Sequence, residues 1–60
     1  MGRDYISDAI DHFGDAVRFL KEARTEVDKG RETEAMRFIG LASDAASSGE
    51  SAMRNASPNY

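Results

Sequence analysis

The sequence predicts an all-α protein, a two-helix antiparallel hairpin that dimerises into a four-helix bundle. Three observations lead to this fold class. Apolar residues recur at alternating steps of three and four, which is the spacing of a packed helix. One glycine, Gly30, separates two segments of similar length. The chain has only 60 residues and no cysteine, and a chain below roughly 70–80 residues seldom folds stably without disulfides, metals or self-association.

The first predicted helix spans residues 4–29. Its large apolar side chains form a heptad seam that Arg24 interrupts. The seam residues are Ile6, Ile10, Phe13, Val17, Leu20 and Val27. A row of alanines lies beside the seam at seven-residue spacing, at Ala9, Ala16 and Ala23, and small side chains let a second helix approach closely. Gly30 follows Lys29 where a left-handed glycine commonly ends a helix, so we expect the turn there.

The second predicted helix spans residues 31–56. Glu32 and Glu34 lie in its first turn, where carboxylates complement the positive end of the helix dipole. Pro58 sets the latest end of the helix, and residues 57–60 are expected to fray. Glycine and serine weaken the helix at Ser47–Gly49, so a break there is an alternative. The equal lengths of the two segments favour one continuous helix.

An antiparallel turn at Gly30 sets residue i opposite residue 60−i, so that bulky residues face small ones. The expected pairs are Leu20 with Gly40, Val17 with Ser43, Phe13 with Ser47 and Ile10 with Gly49–Glu50. One hairpin leaves further large side chains uncovered, which indicates a dimer. The predicted core and dimer residues are Ile6, Ile10, Phe13, Val17, Leu20, Val27, Phe38, Ile39, Ala42 and Ala46.

The charge distribution predicts the orientation of that dimer. Residues 16–40 hold six basic and five acidic residues, a net charge of +1, whereas the rest of the chain holds two basic and six acidic residues, a net charge of −4. Loops at opposite ends would place each acidic end beside a mildly basic one. The charges therefore favour an antiparallel dimer, although each surface pair contributes only a few tenths of a kcal/mol.

The acidic end of the first helix is the candidate surface for a partner protein, with Tyr5 as an apolar anchor. The candidate residues are Asp4, Tyr5, Asp8, Asp11, His12, Asp15 and Phe19. Tyr5, His12, Phe19 and Glu26 also form a stripe at seven-residue spacing, which is either a second dimer seam or a docking surface. Acidic side chains in this number favour a basic partner.

The sequence holds few residues for metal or catalytic chemistry. His12 with Asp8 and Asp15 on one helix face is an alternative metal half-site, but the inward Glu-x-x-His pairs of di-iron bundles do not occur. One histidine and no cysteine do not assemble a nucleophile with its base. We therefore expect no metal, no cofactor and no enzymatic activity.

Nucleic-acid binding is the alternative function, through a basic patch near the loop at Arg18, Lys21, Arg31 and Arg37. A net charge of −3 disfavours contact with phosphates. Acidic residues also alternate with the basic ones, which is typical of pairs that stabilise a helix. The expected pairs are Arg18–Glu22, Arg24–Asp28, Glu34–Arg37 and Glu50–Arg54. Arg24 is either half of such a pair or a phosphate receptor.

The prediction for function is a small non-enzymatic protein-interaction module, such as a regulator, adaptor or inhibitor, that acts as a homodimer. The polar start of the sequence carries no signal-peptide pattern. No apolar run approaches the ~18–20 residues of a membrane span. These features predict a cytoplasmic protein without a membrane partner.

Overall fold

The computed structural model describes the backbone of residues 2–56 and the side chains of residues 4–56. It consists of two helices, α1 (Gly2–Asp28) and α2 (Glu32–Ala56), packed against each other in a rod with extents of 47 × 14 × 11 Å. The all-helical hairpin is thereby confirmed. Helix α2 is continuous through Ser47–Gly49, and the tail expected to fray lies outside the described residues. Over residues 2–56, neither helix has a stretch apolar enough to cross a bilayer.

The turn between the helices is a Schellman motif centred on Gly30, which has a φ of +78°. The Gly30 N–H donates to the Val27 carbonyl at 2.9 Å, and the Arg31 N–H donates to the Glu26 carbonyl at 2.8 Å. These two bonds satisfy carbonyls that the end of α1 would otherwise leave free. The Arg31 carbonyl in turn accepts from the Ala35 N–H at 3.0 Å. The second helix therefore begins at once, and the chain reverses within three residues.

Small side chains fill the interface between the two helices. The buried residues of α1 are Ala9, Ala16 and Ala23, and those of α2 are Ala35, Ala42, Gly49 and Ala52. Every buried apolar side chain in residues 4–56 is thus an alanine. Rows of alanine and glycine let the helix axes approach more closely than leucine or phenylalanine would. The hairpin is held together along these rows, at seven-residue spacing in each helix.

The large heptad seam of α1 does not lie at the centre of the hairpin. Val17 and Leu20 are half exposed, at 52% and 50%, and an added Cβ at Gly40 would meet nothing within 4 Å. The expected pairs of Leu20 with Gly40 and Val17 with Ser43 were therefore wrong as contacts within one hairpin. The physical reason is that both rows of α1 have a period of seven, and the small row permits the closer approach.

Phe13 is the seam residue that does pack into the hairpin, against Gly49 rather than Ser47. A Cβ built on Gly49 would lie 2.8 Å from the Phe13 Cε2 atom. Ser47 is exposed, and so is Ile10, which was expected opposite Gly49–Glu50. The principle of bulky against small thus holds at one position, where a glycine of α2 accommodates an aromatic ring of α1.

Candidate interaction surface

The hairpin has two broad faces, one on each side of the buried alanine rows. Residues three positions after each small residue lie on one side, where Phe19 stacks on Phe38 with ring centroids 6.4 Å apart. Glu26 pairs with Arg31 on the same side at 3.6 Å. Residues four positions after each small residue, such as Phe13, lie on the other side. The first side is called the aromatic face here and the second the apolar face.

The apolar face carries most of the exposed large hydrophobic side chains. It comprises Ile6, Ile10, Phe13, Val17, Leu20 and Val27 of α1, with Met36, Ile39, Ala46 and Met53 of α2. Met36 is 71% exposed and Ile10 is 65% exposed. Two other exposed large hydrophobic residues, Tyr5 and Leu41, lie on the aromatic face. The division concentrates apolar area on one side of the molecule.

The apolar face runs along the length of the hairpin, from Ile6 to Val27 on α1. Its outline on the hairpin measures about 47 Å by 14 Å, and the apolar side chains occupy part of that outline. Contiguous exposed apolar patches of a few hundred Å² often mark interaction sites. Of the predicted core and dimer residues, Ala42 is buried between the helices, while Phe13, Phe38 and Ala46 are half-buried. The remaining six are exposed on the apolar face: Ile6, Ile10, Val17, Leu20, Val27 and Ile39.

The stripe of Tyr5, His12, Phe19 and Glu26 belongs to the hairpin itself along its loop-proximal half. Phe19 is half-buried on Phe38, and the Glu26 side chain is only 13% exposed beside Arg31. The Glu26 Oε1 atom accepts no hydrogen bond from the described residues, so its stabilising partner is the Arg31 charge. Whether the stripe also serves as a second dimer seam or a docking surface stays a prediction. The stripe lies beside the alanine rows, so α2 covers part of it.

The acidic surface lies at the end of the hairpin away from the loop. Asp4, Asp8 and Asp11 are exposed, and Tyr5 is 40% exposed beside them. Asp15 is half-buried and accepts a hydrogen bond from Arg18 at 2.9 Å. By helical spacing, Asp4 and Asp11 lie on the edge of α1 that faces away from α2. The predicted partner-binding residues thus share one side of α1, apart from the apolar face.

The basic residues near the loop do not form one patch. Arg18 pairs with Asp15, and Arg37 pairs with Glu34 at 3.4 Å. Both arginines come two positions after a buried alanine, which places them on opposite edges of the hairpin. Arg31 is turned toward Glu26. The arginines near the loop thus lie on two edges of the hairpin, and nucleic-acid binding through them stays a prediction.

Two of the four predicted side-chain pairs within the helices are confirmed, and in the other two the arginine takes a different partner. The Arg24–Asp28 pair spans 3.4 Å, and the Glu34–Arg37 pair is as expected. Arg18 takes Asp15 in place of Glu22. The Arg54 side chain donates to the Ser51 hydroxyl at 3.3 Å rather than to Glu50. All these pairs are exposed, so each contributes little to stability.

The chemistry that this arrangement supports is binding by surface complementarity. Within the described part of one chain, no three histidine or acidic side chains come together as a metal site. The apolar face suits another apolar surface, and the acidic surface suits a basic one. Comparison with protein-family models, with curated proteins and with solved structures finds no match to this chain.

Proposed function

We propose that the chain is a small non-enzymatic interaction module that works as a homodimer. The apolar face of one hairpin packs on that of a second copy and forms a four-helix bundle. The acidic surface at the far end from the loop, with Tyr5 beside it, then binds a basic partner protein. The observation that carries the proposal is the concentration of exposed large hydrophobic side chains on one face.

The composition of the core supports a second copy as the occupant of the apolar face. The hairpin alone buries alanines, and an alanine side chain contributes far less apolar area than leucine or phenylalanine. Covering the exposed half of a large apolar side chain contributes about 1 kcal/mol. The dimer thus supplies the core of large side chains that the hairpin lacks.

The area of the apolar face also supports a dimer. The whole side of the hairpin on which the face lies measures about 650 Å² in Cα projection, which is of the same order as the roughly 800 Å² that each partner buries in a standard interface. A second copy offers a surface of the same length and the same apolar character.

The dimer is tested by Val17→Asp, which places a charge in the middle of the apolar face. The proposal predicts that sedimentation at micromolar concentration shows loss of the dimer, with reduced helix content in circular dichroism. The matched control is Leu41→Asp, which changes an exposed apolar residue on the aromatic face. This control is expected to keep the mass and the helix content of the unchanged chain. Equal behaviour of the two variants would contradict the proposal.

The acidic surface is tested with a lysine-rich peptide as the probe. The variant Asp8→Asn with Asp11→Asn removes two charges from this surface, and the control Glu22→Gln with Asp44→Asn removes two exposed charges elsewhere. We expect the first variant to weaken peptide binding several-fold more than the control in a titration at fixed salt. Equal weakening would show that net charge alone binds the peptide, and the acidic surface would lose its assigned role.

A further inference from the structure

We propose that the two copies align with their loops at the same end, so that α1 of each copy packs on α2 of the other. This inference rests on the proposed dimer. Two symmetric arrangements cover the apolar face, because the two-fold axis lies either along the helices or across them. An axis across the helices places the loops at opposite ends and packs each helix on its own counterpart.

Bulk is distributed unevenly between the two halves of the apolar face. The middle of α1 presents Val17, which is 52% exposed, and the outer edge of Phe13, which is half-buried against Gly49. The middle of α2 presents Ser43 and Ala46. Ser43 and Ala46 occupy the same heptad positions as Met36 and Met53, which are bulky and lie nearer the ends of α2. The face is thus raised along the centre of α1 and recessed along the centre of α2.

Loops at the same end bring the raised part onto the recessed part. Val17 lies thirteen positions before Gly30, and Ser43 lies thirteen positions after it, so the two are level along the bundle. Phe13 and Val17 then pack on the partner's Ser43 and the partner's Ala46. Large side chains thus meet small ones at the centre of the interface, which lets the centre fill without voids.

When the loops lie at opposite ends, large side chains of one copy meet large side chains of the other. The midpoint of α1 lies near Asp15 and that of α2 near Asp44. Phe13 would therefore lie level with the partner's Val17, and Ser43 and Ala46 would lie among the small residues at the centre of the partner's α2. One helix pair is forced apart while the other is left with a gap. Close packing of both pairs is then impossible without tilting the hairpins.

The charge distribution favours opposite ends, but its effect is the weaker one. The charges are exposed, and physiological salt screens interactions beyond about 8 Å. The packing mismatch lies at the centre of the buried face, and salt does not screen it. Alignment at the same end also gathers Asp4, Asp8 and Asp11 of both copies at one end of the bundle. A basic partner there meets two acidic segments together.

The orientation is tested by spin labels and a dipolar distance measurement on the full chain. The chain has no cysteine, so Lys29→Cys gives one labelled site beside each loop. With helix axes about 8–10 Å apart, same-end loops predict a label separation below about 30 Å. Opposite ends predict a separation close to the 47 Å length of the hairpin. Asp44→Cys is the control, because its midway position gives a short separation in both arrangements.

The outcomes separate this inference from the dimer on which it rests. Short separations at both sites support the same-end arrangement. A long separation at Lys29 with a short one at Asp44 overturns the arrangement and leaves the dimer standing. A monomeric mass with no dipolar coupling at either site overturns both.

Discussion

At the scale of single residues, Gly49 decides how closely Phe13 packs against α2. A Cβ at this position would lie 2.8 Å from the ring, so Gly49→Ala forces the phenylalanine outward. Overpacking costs about 1–3 kcal/mol, and the better helix propensity of alanine returns about 1 kcal/mol. We expect a net loss of about 1 kcal/mol in the free energy of unfolding, measured by urea denaturation at a fixed chain concentration.

Gly40→Ala is the matched control for that substitution. It lies in the same helix, and its added Cβ meets nothing within 4 Å. Only the propensity gain remains, so we expect a stabilisation of up to about 1 kcal/mol. If both variants were stabilised alike, the contact between Phe13 and Gly49 would not exist in solution.

The turn glycine was predictable from the sequence, whereas the partner of Phe13 was not. Gly30 follows a basic residue at the end of a periodic segment, and that local pattern is specific for a left-handed helix end. The pairing of Phe13 depends on the register between helices. That register is set by the three-residue reversal and the alanine rows together, and a shift of two positions separates Ser47 from Gly49.

At the scale of the helices, the sequence predicted the hairpin but not which row holds it together. The large row and the alanine row of α1 both repeat every seven residues, so periodicity alone cannot rank them. The sequence of α2 indicates which row of α1 packs against it. Ala35, Ala42 and Gly49 repeat at the same spacing, and two small rows of equal period pack at the shortest distance. The exposed seam then follows, because a helix presents one stripe to each neighbour.

The alanine rows make a prediction about the hairpin itself. Ala42 is buried between the helices, so Ala42→Leu places three extra carbons where no space exists. We expect a loss of about 2 kcal/mol or more in the free energy of unfolding, by thermal or urea denaturation. The control is Gly40→Leu, two positions earlier on open surface. Comparable losses in the two variants would show that the alanine rows are not the contact.

At the scale of the whole molecule, small side chains pack the two helices together, and large hydrophobic side chains form an exposed face. Alanines and one glycine bring the helices together, and most of the large aliphatic residues remain exposed on the apolar face. The candidate acidic surface was predictable because its aspartates lie close together in sequence. The apolar face was recognised only as surplus hydrophobic residues, since assigning them to one side requires the packing of both helices. A surface of this kind on a small hairpin favours assembly over isolation.

Sedimentation equilibrium of the unmodified chain over a range of concentrations tests the central claim most directly. We predict a mass of twice the 6.6 kDa of one chain at micromolar concentration, with helix content falling as dilution dissociates the dimer. A fully helical species of 6.6 kDa that persists across the range would contradict the account.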